Sequence, residues 1–151
     1  MKNLTTVDGI LDFAIASEEE SHQFYTDLAK RVERPGMRDI FSSFAKEELN
    51  HKQKLLGVKA GRQLVPVSAR IADLKISDYL VDVAPGPQLD YQGALMVAMK
   101  KEKASFMLYT HLADITDNEA LRSTLASLAQ EEARHKLRFE MEYDQFILTE
   151  M

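Results

Sequence analysis

Residues 11–52 of this chain come back, without a gap, at residues 95–136. Shifted by 84, the two segments share 15 identities in 42 positions, where unrelated segments would share roughly two or three. Glu18 meets Glu102, Tyr25 meets Tyr109, and Leu28-Ala29 meets Leu112-Ala113. Ala45, Glu47, Glu48, His51 and Lys52 meet Ala129, Glu131, Glu132, His135 and Lys136. Two copies are too few for a solenoid. They predict two similar halves packed around a pseudo-two-fold axis.

Within each half, apolar residues recur at spacings of three and four, the period of an amphipathic helix. Helix A is expected from about 6 to 33, opened by Thr5 with Asp8 in a capping-box arrangement. Pro35 and Gly36 punctuate it, and helix B follows to about 59 with Gly61 as its stop. Helix C begins near Tyr91 after Asp90 and ends near Ile115. Helix D follows "TDNE", where Thr116 and Glu119 read as a second capping box, and reaches about 147. Residues 61 to 90, with Gly61, Pro66, Pro85, Gly86 and Pro87, are too many for a tight turn. They are expected to cross the bundle, with a short helix at "DLKISDYLV". The expected fold class is all-α: a four-helix bundle of two antiparallel hairpins, with repeat halves at about 6–60 and 90–148.

Composition narrows the function classes. A length of 151 residues suits one domain with a proper core. No apolar run has membrane-spanning length, and "MKNLTTVDGI" lacks the basic and apolar regions of a signal peptide. The net charge of −5 disfavours nucleic acid or an anionic membrane as partner, and a cytoplasmic location is the expectation. Zero cysteines removes disulfides, thiolate zinc sites, iron–sulfur clusters and redox thiols together.

Each helix carries one core stripe. Helix A offers Leu11, Ala14, Glu18, Ser21, Tyr25, Leu28 and Val32; helix C offers Leu95, Ala98, Glu102, Ser105, Tyr109 and Leu112. Helix B offers Phe41, Phe44, Glu48, His51, Leu55 and Val58; helix D offers Leu125, Leu128, Glu132, His135 and Phe139. Every stripe is interrupted at mid-helix by Glu or by Glu-x-x-His, whose spacing puts both side chains on one face a turn apart. Four carboxylates meeting in a core lose hydration and repel one another, so they take up protons or enclose positive charge. Two divalent cations balance four glutamates beside two neutral imidazoles, the known pattern of di-iron and di-manganese carboxylate bundles.

Glu-x-x-His alone is a weak signal: with 13 glutamates and four histidines, about 0.3 matches arise by chance. This chain has three, and the third, Glu19 with His22, breaks the repeat because its counterparts are Lys103 and Phe106. That pair reads as solvated or at the rim, with His22 a candidate outer contact of the centre. Glu47 and Glu131 lie about 100° off the seam and read as surface. Tyr25 and Tyr109 stand about 10.5 Å beyond their glutamates along the helix, either as core tyrosines or as hydrogen-bond donors to a carboxylate across the bundle. The seven methionines read as core filler.

With "EEESHQFYTDLA", "FAKEELNH", "EKASFMLYTHLA" and "LAQEEARH" in this order, the chain resembles the rubrerythrin-like branch of the ferritin-like superfamily over nearly its whole length. The resemblance implies a ferritin-like bundle with iron ligands at Glu18, Glu48, His51, Glu102, Glu132 and His135, and tyrosines hydrogen-bonding to them at Tyr25 and Tyr109. It implies two iron ions, replaceable by manganese or zinc, and a homodimer. Full-length rubrerythrins also carry a cysteine-ligated rubredoxin domain, which a chain without cysteine lacks. They carry an extra glutamate three residues after the helix C ligand, linked to movement of one iron between redox states; this chain has Ser105 there. That departure bears on a peroxidase cycle, not on metal binding.

The function expected from this set is reduction of hydrogen peroxide or dioxygen, with electrons from an external donor such as a rubredoxin-like protein. The alternative is a ferroxidase, iron-storage or iron-delivery protein without turnover. A third reading is a helical interaction module whose charged seam pairs with a partner.

Overall fold

Each repeat folds back on itself over three residues, Val32–Arg34 in the first half and Thr116–Asn118 in the second. A computed structural model describes residues 7–61 and 90–150 as four helices: α1 (Val7–Arg31), α2 (Pro35–Gly61), α3 (Tyr91–Ile115) and α4 (Glu119–Glu150). The expected crossover, the short helix at "DLKISDYLV" and the Thr5 cap lie outside the described residues.

The turns differ from the sequence reading in an instructive way. Pro35 and Gly36 do not separate α1 from α2; they form the first turn of α2. A proline at the first helical position has no N–H to leave unpaired, and its fixed φ already suits the helix. The Arg34 carbonyl accepts from the Met37 and Arg38 amides, each at 3.0 Å. In the second half, Thr116 is the C-cap residue of α3, with extended backbone, and does not cap α4. Asn118 does so, its Oδ1 accepting the Leu121 amide at 2.8 Å. The Thr116–Glu119 capping box therefore does not form. The chain spends Thr116 and Asp117 on reversing direction, and the residue next to the helix takes the capping role. Asp90, by contrast, caps α3 where expected, accepting the Gly93 amide at 2.7 Å.

One repeat-related pair ties both turns. Arg38 Nε donates to the Val32 carbonyl at 2.5 Å, and Arg122 donates to the Thr116 carbonyl at 2.7 Å. Each guanidinium satisfies a carbonyl left over at the end of the preceding helix. Arg38 and Arg122 are themselves one of the identities related by the 84-residue shift.

Helices α1 and α2 form one antiparallel hairpin and α3 and α4 the other, and the two make a four-helix bundle. Tyr25 on α1 reaches Glu102 on α3 while Tyr109 reaches back to Glu18, so α1 and α3 also run antiparallel. The same crossed pairing joins α2 to α4, through His51 with Glu131 and His135 with Glu47. The core is divided. At the end bearing the Val32–Arg34 turn it is aromatic: Tyr25, Phe41, Phe44 and Phe139 are all buried. At the other end it is aliphatic, with Leu11, Leu55, Leu108, Leu125 and Leu128. Between them lies a layer of buried polar side chains.

Phe139 is fully buried, lies 5.6 Å from Phe41 ring to ring, and meets Phe44 edge-on at 5.2 Å. Replacing it by alanine is expected to cost about 3–5 kcal/mol of unfolding free energy, measured by chemical denaturation. A loss below about 1 kcal/mol would show that the aromatic half is not packed as described.

Candidate metal centre

The polar layer is built at mid-height from all four helices. Glu18 comes from α1, Glu48 and His51 from α2, Glu102 from α3, and Glu132 and His135 from α4. None is more than 1% exposed. Each sits in its helix's apolar stripe, so packing of the neighbours Ala14, Leu55, Leu95, Leu128 and Phe139 carries the polar side chains inward with them.

The six converge in two overlapping groups. Glu18, Glu48, His51 and Glu132 each offer one atom within 4.8 Å of the others, as do Glu48, Glu102, Glu132 and His135. Glu48 and Glu132 belong to both groups; Glu18 and Glu102 each belong to one. His51 Nδ1 lies 2.9 Å from Glu132, 3.5 Å from Glu18 and 3.8 Å from Glu48. His135 Nδ1 lies 3.1 Å from Glu48 and 3.5 Å from Glu102. The two imidazoles are nearly parallel, at 13°, with centroids 6.2 Å apart.

Two tyrosines complete the layer. The Tyr25 hydroxyl donates to Glu102 Oε1 at 2.6 Å, and the Tyr109 hydroxyl donates to Glu18 Oε1 at 2.5 Å. Of the two readings open for these residues, the cross-bundle hydrogen bond is the one the fold adopts. Burial raises both phenol pKa values, and the neighbouring carboxylates add to it, so both remain donors.

Electrostatically the layer lacks positive charge. Burial pushes the Glu48 and Glu132 carboxyls well above their usual range, and repulsion from the other glutamates pushes them further. Burial alone would lower the His51 pKa, but its contacts with Glu132 and Glu18 outweigh that and push it up to about 11. Ten buried side-chain atoms among the described residues have no hydrogen-bond partner, and every one belongs to these six residues. Buried polar atoms are nearly always satisfied. Four carboxylates and two imidazoles, each bringing one atom within 4.8 Å of the others in its group, form a donor set that fits two divalent cations, and the residues present suit such a pair.

Five further titratable side chains border the layer: Glu19, His22, Glu47, Glu131 and Lys101. Glu19 bonds to Lys52 at 2.7 Å and to Gln23 at 2.9 Å, and His22 Nδ1 contacts the Ala45 carbonyl at 2.7 Å. This third Glu-x-x-His is a rim pair that ties α1 to α2. Glu47 and Glu131, read from sequence as surface, are instead only 24% and 29% exposed and reach across the bundle. Glu131 Oε1 is 3.2 Å from His51 Nε2, and Glu47 Oε1 is 3.3 Å from His135 Nε2. A position off the seam by one residue faces the neighbouring helix, and a glutamate is long enough to use that. Burial raises the Glu131 pKa, but His51 and Lys54 outweigh it and leave it below the ordinary carboxyl range. Lys101, which the sequence reading passed over, is also buried, with Nζ 3.9 Å from Glu20 and 5.5 Å from the Phe24 ring centroid. The signal for Glu47 and Glu131 was present, since both lie among the repeat identities; Lys101 has Ser17 as its counterpart and gave none.

The rubrerythrin family model matches residues 9–73, a span holding most of α1, all of α2 and three of the six converging side chains, Glu18, Glu48 and His51. A solved structure of a hypothetical protein from Pyrococcus furiosus superposes with a TM-score of 0.75 at 21% identity, covering 95% of this chain and 92% of that one. At that identity the likeness speaks for the fold. No curated protein matches the chain.

The metal-free protein has a defined pH dependence. Glu48 and Glu132 hold protons more tightly folded than unfolded, so the stability they contribute is complete below the ordinary value of 4.5 and drains as pH climbs. His51 contributes in the same direction, fully below 6.5 and lost on the way to about 11. Chelator-treated protein should therefore melt at a lower temperature at pH 8.5 than at pH 6, and Glu132→Gln should flatten that slope. Thermal scans at fixed ionic strength settle the point; a melting temperature that rises with pH would contradict it.

Proposed function

We propose that this rubrerythrin-like chain is a di-iron oxidoreductase. Two iron ions held by Glu18, Glu48, His51, Glu102, Glu132 and His135 would reduce hydrogen peroxide or dioxygen, with an external donor returning the electrons. The observation that carries this reading is the ten unpartnered buried atoms, all on those six side chains. An iron pair, when bound, supplies one electron from each ion, and peroxide takes the two with two protons to leave two waters.

The chain's own residues have separable tasks. Glu48 and Glu132 belong to both groups and would help hold both ions, while Glu18 and Glu102 would each help hold one. Tyr25 holds Glu102 Oε1 and Tyr109 holds Glu18 Oε1, leaving Oε2 of each glutamate free. Each imidazole presents Nδ1 inward and would anchor one ion. The apolar cores on either side exclude bulk water and favour small oxidants. Ligand type alone admits manganese or zinc, and the likeness to rubrerythrins favours iron. Ser105 is half-buried where the family's additional glutamate would stand, so these six side chains are the full acidic and imidazole complement proposed.

Anaerobic loading with ferrous iron followed by rapid mixing with peroxide tests the proposal. About two irons per chain are expected, oxidised faster than ferrous ion in the same buffer. Glu48→Ala and Glu132→Ala should each abolish stoichiometric binding. Many irons retained per chain would favour storage instead. Unchanged metal content in both variants would favour the interaction-module reading.

A further inference from the structure

The two imidazoles are held from behind as well as from in front. His51 on α2 turns Nδ1 to the inner carboxylates, the nearest being Glu132 at 2.9 Å, and Nε2 to Glu131 at 3.2 Å. His135 on α4 turns Nδ1 to Glu48 at 3.1 Å and Nε2 to Glu47 at 3.3 Å. The arrangement is reciprocal. In each Glu-Glu-x-x-His run the second glutamate enters the inner layer, while the first crosses to the histidine of the opposite helix. Each of these two carboxylates also meets a cation: Lys54 lies 3.6 Å from Glu131 Oε2, the oxygen turned away from His51, and Arg134 bonds to Glu47 Oε1, the same oxygen that faces His135.

We infer that Glu131 and Glu47 are positioning residues for the two histidines: each accepts the Nε2–H of the opposite imidazole, so that the Nδ1 lone pair faces the metal position. This rests on the metal-centre reading above and adds residues that the six-ligand set does not contain. The physical reason is a choice between tautomers. A neutral imidazole carries one ring proton, and only the form with that proton on Nε2 leaves Nδ1 able to donate to a cation. A carboxylate fixed beside Nε2 selects that form, fixes the ring's rotation and raises its basicity. Neither contact is yet aligned along the ring N–H, since both Nε2 atoms lack a directed partner. The terminal torsion of glutamate is soft, so rotation of Glu131 or Glu47 can complete the bond without moving the helices. Surface ion pairing with Lys54 and Arg134 does not by itself explain the placement. A solvated pair of that kind has no need of an imidazole at its inner edge, and here both copies of the repeat provide one.

The test uses zinc as a diamagnetic probe and reads ring nitrogens directly. In zinc-loaded wild-type protein labelled with nitrogen-15, both histidines should show a protonated Nε2 and a metal-shifted Nδ1. Glu131→Ala should broaden or shift the His51 Nε2–H alone, and Glu47→Ala that of His135 alone. Each should weaken zinc binding by about 10–100-fold. Glu131→Gln and Glu47→Gln, which keep an acceptor oxygen, should retain the Nε2–H signal and most of the affinity. Lys54→Met, which removes only the surface pair, should leave both ring signals in place. Alanine variants with wild-type affinity and unchanged ring signals overturn the assignment. So does a loss of affinity in which both histidine signals move equally, since that marks a general electrostatic effect. A wild-type protein that takes up no zinc, with no Nδ1 response, defeats the metal centre itself, which is a distinct result.

Discussion

Everything in this bundle is arranged around the cost of taking four carboxylates out of water. Glu18, Glu48, Glu102 and Glu132 are at most 1% exposed and lie in overlapping groups a few ångströms across. Loss of hydration opposes their charge, and mutual repulsion opposes it again. Without added positive charge, the responses available are protons on Glu48 and Glu132 and a proton retained on His51. Such a layer cannot be justified by stability, since apolar residues of similar size would pack there at lower cost. Its cost has to be met by what it binds.

The helical frame makes that layer possible because it bears the stability elsewhere. The aromatic core around Phe41 and Phe139 and the aliphatic core around Leu125 and Leu128 close the bundle at either side of mid-height. Crossed contacts then knit neighbouring helices at the layer itself. Tyr25 and Tyr109 join α1 to α3, while Glu47 and Glu131 join α2 to α4. No helix supplies its own outer contacts in these pairs. Positioning of each inner side chain therefore depends on the register of an adjacent helix, and register in turn is set by the apolar stripes above and below. A cation pair bound here would gain pre-set ligands, because little rotamer freedom remains to be lost.

The part of this that sequence could carry is the part that repeats. The stripes with mid-helix interruptions specified the four helices, the hairpins and the six inward side chains, because helical period alone decides which residues share a face. The Tyr25 and Tyr109 hydroxyls were left with two readings, since period gives a face but not the partner across it. The helix ends were less legible. Pro35 was read as a break when it was a start, and Thr116 as a cap when Asn118 lay closer to the helix; both are decided by how the chain reverses, which depends on the two helices together. Glu47 and Glu131 were misplaced because 100° off a seam was equated with solvent. In a bundle of four, that direction faces the next helix. Lys101 had no repeat partner and no pattern to mark it.

The two-fold relation holds within the layer and fails around it. His135 lies against the Phe44 ring at 3.9 Å, nearly parallel, and the repeat counterpart of Phe44 is Leu128. Lys101 brings a buried cation toward Glu102 and Glu48, and its counterpart is Ser17. Tyr25 is set among Phe24, Phe41 and Phe139, whereas Tyr109 sits in the aliphatic half. Six matched side chains thus stand in two unlike surroundings, one aromatic with the Lys101 ammonium nearby, the other aliphatic. A polarisable ring beside one imidazole and a nearby ammonium on one side act on charge at different strengths in a water-poor interior. Duplication alone would have given two equal positions. What the flanking residues add is a difference between them.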